Sequence, residues 1–132
     1  MRLCTIASGS SGNCVYVGSE KTNLLVDAGI STKRIENGLK GIDIKPDTIQ
    51  GILITHEHTD HISGLRVMSR RYNIPIYATY ETVQAIMQKK TMKDIPKELF
   101  HYIKPNEEFK IKDIIIEAFE TSHDASNPVG FT

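Results

Sequence analysis

Four β-type residues, Ile52-Leu53-Ile54-Thr55, lead directly into His56-Glu57-His58-Thr59-Asp60-His61. A continuous apolar strand is the kind covered on both faces of a sheet. Its end is therefore held in place, and so are the side chains that follow it. On an extended segment, residues two apart point the same way, so His56 and His58 converge on one ion and Asp60 continues the alternation. His61 falls one residue out of phase and is aimed at a second ion nearby. Imidazole and carboxylate donors suit Zn, and also Mn or Fe. Three of the chain's five histidines and one aspartate lie within these six residues, which makes a merely solvated loop the weaker reading. Glu57 sits between ligands and points away, as a surface or supporting group. His101, alone in Leu-Phe-His-Tyr-Ile, reads as a partly buried structural histidine.

The rest of the chain alternates strands with helices, which implies an α/β layered domain. Residues 3–7 and 14–18 are short β-type runs around Ser8-Gly9-Ser10-Ser11-Gly12-Asn13, and 23–29 is a third strand. Ser31 is placed to cap a helix near 32–40, with Gly41 as its stop. From Ile62 the pattern is helical, with Leu65, Met68 and Tyr72 at spacings of three or four. Residues 74–78 form another strand and 80–90 another helix. Residues 107–121 read as a hairpin turning at Lys112-Asp113. His123 follows its apolar arm as His56 follows the central strand, so two strand ends carrying histidine can meet at one sheet edge. Asp27, at the end of Leu24-Leu25-Val26, is placed to accept a hydrogen bond from a ligand histidine; a turn aspartate before Gly29 is an equal reading.

At 132 residues the chain is one domain's worth. Sixteen basic and sixteen acidic residues give zero net charge, so there is no global electrostatic case for nucleic acid or an anionic membrane. A local patch is still open: Arg66 and Arg70, one helical turn apart beside Arg71, are placed to touch a DNA backbone, although a solvated helix face is the commoner use of such a pair. Residues 8–13 offer backbone N–H groups to phosphate around Ser10, Ser11 and Asn13, or form a plain hairpin turn. No apolar run approaches a membrane span, and the first residues lack a signal-peptide pattern. Cys4 and Cys14 fit a reducing cytoplasm. They could face each other across a hairpin, but two small buried residues is the preferred reading.

Thr55-His56-Glu57-His58-Thr59-Asp60-His61 resembles the H-x-H-x-D-H signature of the metallo-β-lactamase superfamily, and Leu24-Leu25-Val26-Asp27-Ala28-Gly29 resembles its early aspartate motif. His123 sits where its third motif histidine falls. Residues 7–13, 24–31, 51–64, 74–79 and 121–131 together resemble the bacterial WalJ-like branch, cytoplasmic metal-dependent 5′-to-3′ exonucleases on double-stranded DNA. The resemblance implies an αββα sandwich with two bridged divalent ions that activate water. His56, His58 and His123 would hold one ion, and Asp60 and His61 would contribute to the second, with Asp60 orienting the hydroxide. Family members are about twice as long and add a bridging aspartate and a late histidine. This chain, residues 1–132, is therefore expected to be the N-terminal half of the domain, to hold one ion, and to expose a large apolar patch. It would then self-associate or need the other half. Two further readings are a thioester, lactone or small phosphodiester hydrolase of the same fold, and a metal-binding half-domain with no turnover.

Overall fold

The computed structural model describes residues 1–121 and 129–132. Six strands form the larger sheet in the order β1 (Arg2–Ala7), β2 (Cys14–Gly18), β3 (Asn23–Val26), β4 (Ile49–Leu53), β5 (Ile76–Thr79) and β6 (Phe100–Ile103). The first three pair antiparallel, whereas β3 through β6 run parallel. Parallel neighbours need crossovers. These are α1 (Thr32–Gly41), then α2 (Thr59–Ile62) with α3 (Leu65–Tyr72), then α4 (Tyr80–Gln88). A smaller antiparallel sheet holds β7 (Glu108–Ile111), β8 (Ile114–Glu120) and β9 (Val129–Phe131).

Strand alternation divides the core in two. Leu25, Ile52, Ile54 and Ile76 face the helices, where Ile35, Leu39, Leu65, Met68, Val83 and Ile86 meet them. Leu24 and Leu53 face the opposite way, onto Ile111, Ile114 and Ile116 of the smaller sheet. The central strands are apolar on successive residues because both faces are covered. The layers are helix, sheet, sheet. All four parallel strands end at one edge, the edge where open α/β sheets gather their ligands.

Several local expectations change. The third strand stops at Val26 because Asp27 takes a left-handed φ of 64°. Ser31 does cap α1, accepting from the Arg34 N–H, but Gly41 is the last helical residue and Asp43 takes the left-handed turn at φ 61°. The helical stretch from Ile62 is two helices, because the backbone breaks at Gly64, whose N–H bonds to the Ala28 carbonyl at 2.7 Å. A Cβ at Gly64 would stand 2.1 Å from the Ile30 carbonyl oxygen, so only glycine lets the two segments touch. His101 is not partly buried. It lies exposed on β6 with its ring stacked on Tyr77 at 5.0 Å. Cys4 pairs across the hairpin with Tyr16, not with Cys14, and both thiols are free. Burial, helped by the charge of Asp27, pushes the Cys14 thiol up to about 12.

On the face between the sheets, Leu3, Val15, Val17, Val26, Ile115 and Phe131 line an open apolar groove of about 360 Å³. Leu3 is 71% exposed and Ile115 61%, large values for such side chains. Among the described residues no helix is long and apolar enough to cross a membrane.

Candidate metal centre

The site is built at the carboxyl ends of β3 and β4. Where β3 ends, Asp27 donates its N–H to the Leu53 carbonyl at 2.7 Å, which turns its carboxylate toward the neighbouring strand. That carboxylate is only 4% exposed and well satisfied. Oδ1 accepts the Thr55 N–H at 2.8 Å, Oδ2 accepts the Thr55 hydroxyl at 2.8 Å, and Oδ2 also lies 2.6 Å from Nδ1 of His61. A buried carboxylate with this many partners is held in one orientation.

The hydrogen bond fixes the tautomer of His61. With Nδ1 donating to Asp27, Nε2 is the lone-pair nitrogen. It faces Asn13 Nδ2 at 3.3 Å and Asp60 Oδ2 at 3.5 Å. Asn13 is oriented independently, since its Oδ1 accepts the Gly9 N–H at 3.1 Å, leaving Nδ2 as the donor side. Burial pulls the His61 pKa down, but the hydrogen bond and charge of Asp27, with the charge of Asp60, outweigh it and leave the pKa raised.

His56 and His58 lie on the extended stretch beyond β4. His56 is 5% exposed, and its ring centroid stands 4.7 Å from that of His58 and 3.9 Å from that of His61. The strand alternation expected through Asp60 ends at His58, whose extended backbone caps α2. Asp60 and His61 sit on that single helical turn, which brings the His61 ring back beside His56 instead of carrying it away. The four residues of the H-x-H-x-D-H run are thus gathered, but by a strand end plus a helical turn. Among the described residues no three His, Cys, Asp or Glu side chains stand in a ligating arrangement. His123 lies outside the described residues. Six positions further on, the Val129 N–H bonds to the Thr55 carbonyl at 2.9 Å, one residue before His56. Three imidazoles and a carboxylate at one strand edge are the nitrogen and oxygen donors that Zn, Mn or Fe take, so the donor chemistry fits a divalent ion.

The loop at residues 8–13 has a structural use that its sequence hid. Asn13 donates its N–H to the Asp60 carbonyl at 2.8 Å and accepts from Gly29 at 2.8 Å. Its side-chain Nδ2 reaches Gly9 and Asp60 carbonyl oxygens at 2.9 and 3.2 Å, and Asp60 Oδ2 at 3.3 Å. Asn13 therefore holds the turn that carries Asp60 and His61. Ser10 and Ser11 are exposed at the tip. Gly29 makes this contact possible, because a Cβ there would lie 1.8 Å from the Asp60 carbonyl oxygen. Gly12 is as tightly placed, since a Cβ there would stand 2.5 Å from the Gly29 carbonyl oxygen, and the sequence does not mark Thr55, Gly29 or Gly12 as site residues. The glycines in Asp27-Ala28-Gly29 and Ser11-Gly12-Asn13 were the available signal, since close backbone approach demands glycine.

Arg66 is committed to Asp94 by two 2.7 Å bonds, from Nε and Nη2, and Arg70 adds a third at 2.9 Å. Asp94 is held down at about 2, chiefly by its hydrogen bonds to Arg66. Arg71 pairs with Glu36 at 3.0 Å, and Tyr72 also donates to Glu36.

Residues 7–129 match the family model described as the metallo-β-lactamase superfamily. The chain belongs to that superfamily. It is 43% identical over 123 residues to an exodeoxyribonuclease WalJ of Streptococcus pneumoniae serotype 2, covering 93% of this chain and 46% of that protein. Against an exodeoxyribonuclease YycJ of Bacillus anthracis, identity is 39% over 129 residues, with 98% and 48% covered. The fold agrees: the Rm3 metallo-beta-lactamase superposes with a TM-score of 0.80 at 20% identity, covering 97% of this chain and 52% of that one. The chain spans about half the length of the curated relatives it matches. In this fold family, then, the helix–sheet–sheet arrangement is part of the αββα sandwich.

Proposed function

We propose that this chain supplies the N-terminal half of a cytoplasmic, metal-dependent phosphodiesterase that degrades DNA from an end, 5′ to 3′ on a duplex. The observation that carries this reading is the gathering of His56, His58, Asp60 and His61 around a carboxylate-fixed imidazole. The exodeoxyribonuclease names of the relatives at 39–43% identity support the substrate class. Two unpaired cysteines agree with a reducing compartment.

His56, His58 and His123 would hold one divalent ion, and Asp60 and His61 would contribute to a second. Zn and Mn, with Fe after them, suit this donor set. Such ions, when bound, supply Lewis-acid charge stabilisation and lower the pKa of coordinated water. The chain's own residues prepare for this. Asp27 keeps the proton of His61 on Nδ1, so Nε2 presents a lone pair. Thr55 locks Asp27 against β4. Asn13 and Gly29 fix the backbone of Asp60, so its carboxylate is positioned before any ligand arrives, which spares ordering cost. The second half of the sandwich would complete the donor set and cover the apolar groove at Leu3, Ile115 and Phe131.

The test uses the full-length protein, 5′-phosphorylated duplex DNA and manganese. Release of nucleotides from the 5′ end, abolished in His58→Ala and about ten- to a hundredfold slower in Asp27→Asn, is the expected result. No digestion of DNA together with clear turnover of a thioester would assign the site to a different hydrolase of this fold. Metal uptake without turnover of either would leave a binding module.

A further inference from the structure

The surface beside the metal loop carries a second feature. A groove of about 360 Å³ begins at Thr59 and Ser63, directly after His58, and passes Arg66 and Lys89. It continues into an open trough of about 430 Å³ along Lys90 and Lys93, the two sharing Arg66 and Thr91. Ile62, Val67 and Met92 form the apolar floor of the first groove, and Thr59, Ser63, Arg66, Lys89 and Thr91 supply its hydroxyls and cations. Four cations, Arg66, Lys89, Lys90 and Lys93, line the two connected depressions with Asp94 as the one acidic side chain among those lining residues, in a chain whose total is zero. Asp94 takes two of the five N–H donors of Arg66, on Nε and Nη2, and one of Arg70, which leaves Lys89, Lys90 and Lys93 as the lining cations it does not pair with. Lys90, Thr91 and Lys93 are exposed, and Lys89 is half-buried at the end of α4.

We infer that this groove holds the phosphate backbone of a nucleic-acid strand and leads it to the His56–His61 site. The inference rests on the phosphodiesterase reading above. A concave track with cations and hydroxyl donors along it matches a linear polyanion of regularly spaced phosphates. It fits an anionic membrane less well, because a flat bilayer meets convex surfaces before grooves. The contacts are with backbone, so binding tolerates any base sequence and depends steeply on salt.

The experiment is fluorescence anisotropy with the full-length protein and a labelled duplex whose terminal linkages are phosphorothioates, between 50 and 200 mM salt. The combined variant Lys89→Gln, Lys90→Gln, Lys93→Gln should bind at least about tenfold more weakly at the lowest salt. Its log–log salt slope should shrink by about 3, one per lysine. Arginine at the same three positions should restore both quantities. Lys33→Gln with Lys40→Gln, on α1 away from the groove, should change neither. An unchanged slope in the triple variant, an equal loss in the α1 control, or tighter binding to phosphatidylserine vesicles than to DNA would overturn the inference. Hydrolysis of bis(p-nitrophenyl) phosphate by the metal-loaded wild-type protein keeps the two claims apart. Without that hydrolysis, the phosphodiesterase reading fails. With it, an unchanged salt slope removes the groove alone.

Discussion

The edge of the larger sheet at Asp27 and His61 and the face between the two sheets at Leu3 and Ile115 are opposites. At the edge, a carboxylate 4% exposed has its oxygens taken by Thr55 and His61, and two loops are packed so closely that a Cβ on Gly29 would overlap Asp60. On the face, Ile115 and Leu3 stand mostly in solvent along an open groove. Most of the groups that order the 56–61 loop come from within the first 64 residues, through short hydrogen bonds and backbone contacts. Among the described residues the apolar face has no such closure. Preorganisation of the sheet edge and burial of the apolar face are therefore separable properties of this fold, and substitutions in the two regions should behave differently.

The largest effect is expected at the closed edge. Gly29→Ala forces a methyl into the Asp60 carbonyl and should cost about 3 kcal/mol of stability. Thermal melting checks it, and a loss under about 0.5 kcal/mol would mean that the two loops are not tightly packed. Asp27→Asn comes next. It keeps the shape but replaces a charged acceptor with an amide, leaving His61 and Thr55 poorly paired, for about 1–3 kcal/mol. It should also lower metal affinity tenfold or more, read by titration with zinc. Equal affinity would show that Asp27 is only a turn residue.

On the open face, Ile115→Lys should change stability by less than about 0.5 kcal/mol, because the side chain is already in solvent. Its effect should be on association: light scattering of the 132-residue chain should show less self-association than wild type. A large loss of stability instead would mean that the face is packed, and would erase the contrast. The smallest effect concerns the Arg66–Asp94–Arg70 pairing. The Asp94 carboxyl is lowered from its ordinary 3.8 to about 2 by Arg66 hydrogen bonds. A depressed carboxyl contributes stability above pH 3.8 that is lost as pH falls through about 2. Acid titration of stability should therefore show a small extra loss between pH 4 and 2, absent in Asp94→Asn. The pair is exposed, so the amplitude is slight.

Much of this was legible in the sequence because short-range physics governs it. The strand expected to run to Thr55 is β4, which ends at Leu53, and the side chains of His56, His58, Asp60 and His61 are gathered just beyond it. The hairpin at 107–121 turned where Lys112 takes a φ of 55°. What stayed hidden depends on contacts between distant segments. Asn13 is 47 residues from Asp60, and nothing in Ser-Gly-Ser-Ser-Gly-Asn distinguishes a loop that offers donors to phosphate from one that ties down a helical turn. The strand phase assigned to Asp60 failed for a related reason: a four-residue helix is too short to show a period. His101 looked buried because its neighbours Leu99, Phe100 and Ile103 are apolar, yet on a strand the face alternates, and its face points outward beside Tyr77.

The central claim is that imidazoles delivered by strand ends share a cation. Metal content of the purified full-length protein, compared with His58→Ala and His123→Ala, tests it most directly. At least one Zn, Mn or Fe per wild-type chain, falling well below half in each variant while both still melt cooperatively, is the predicted result. Equal metal content in wild type and both variants would contradict it.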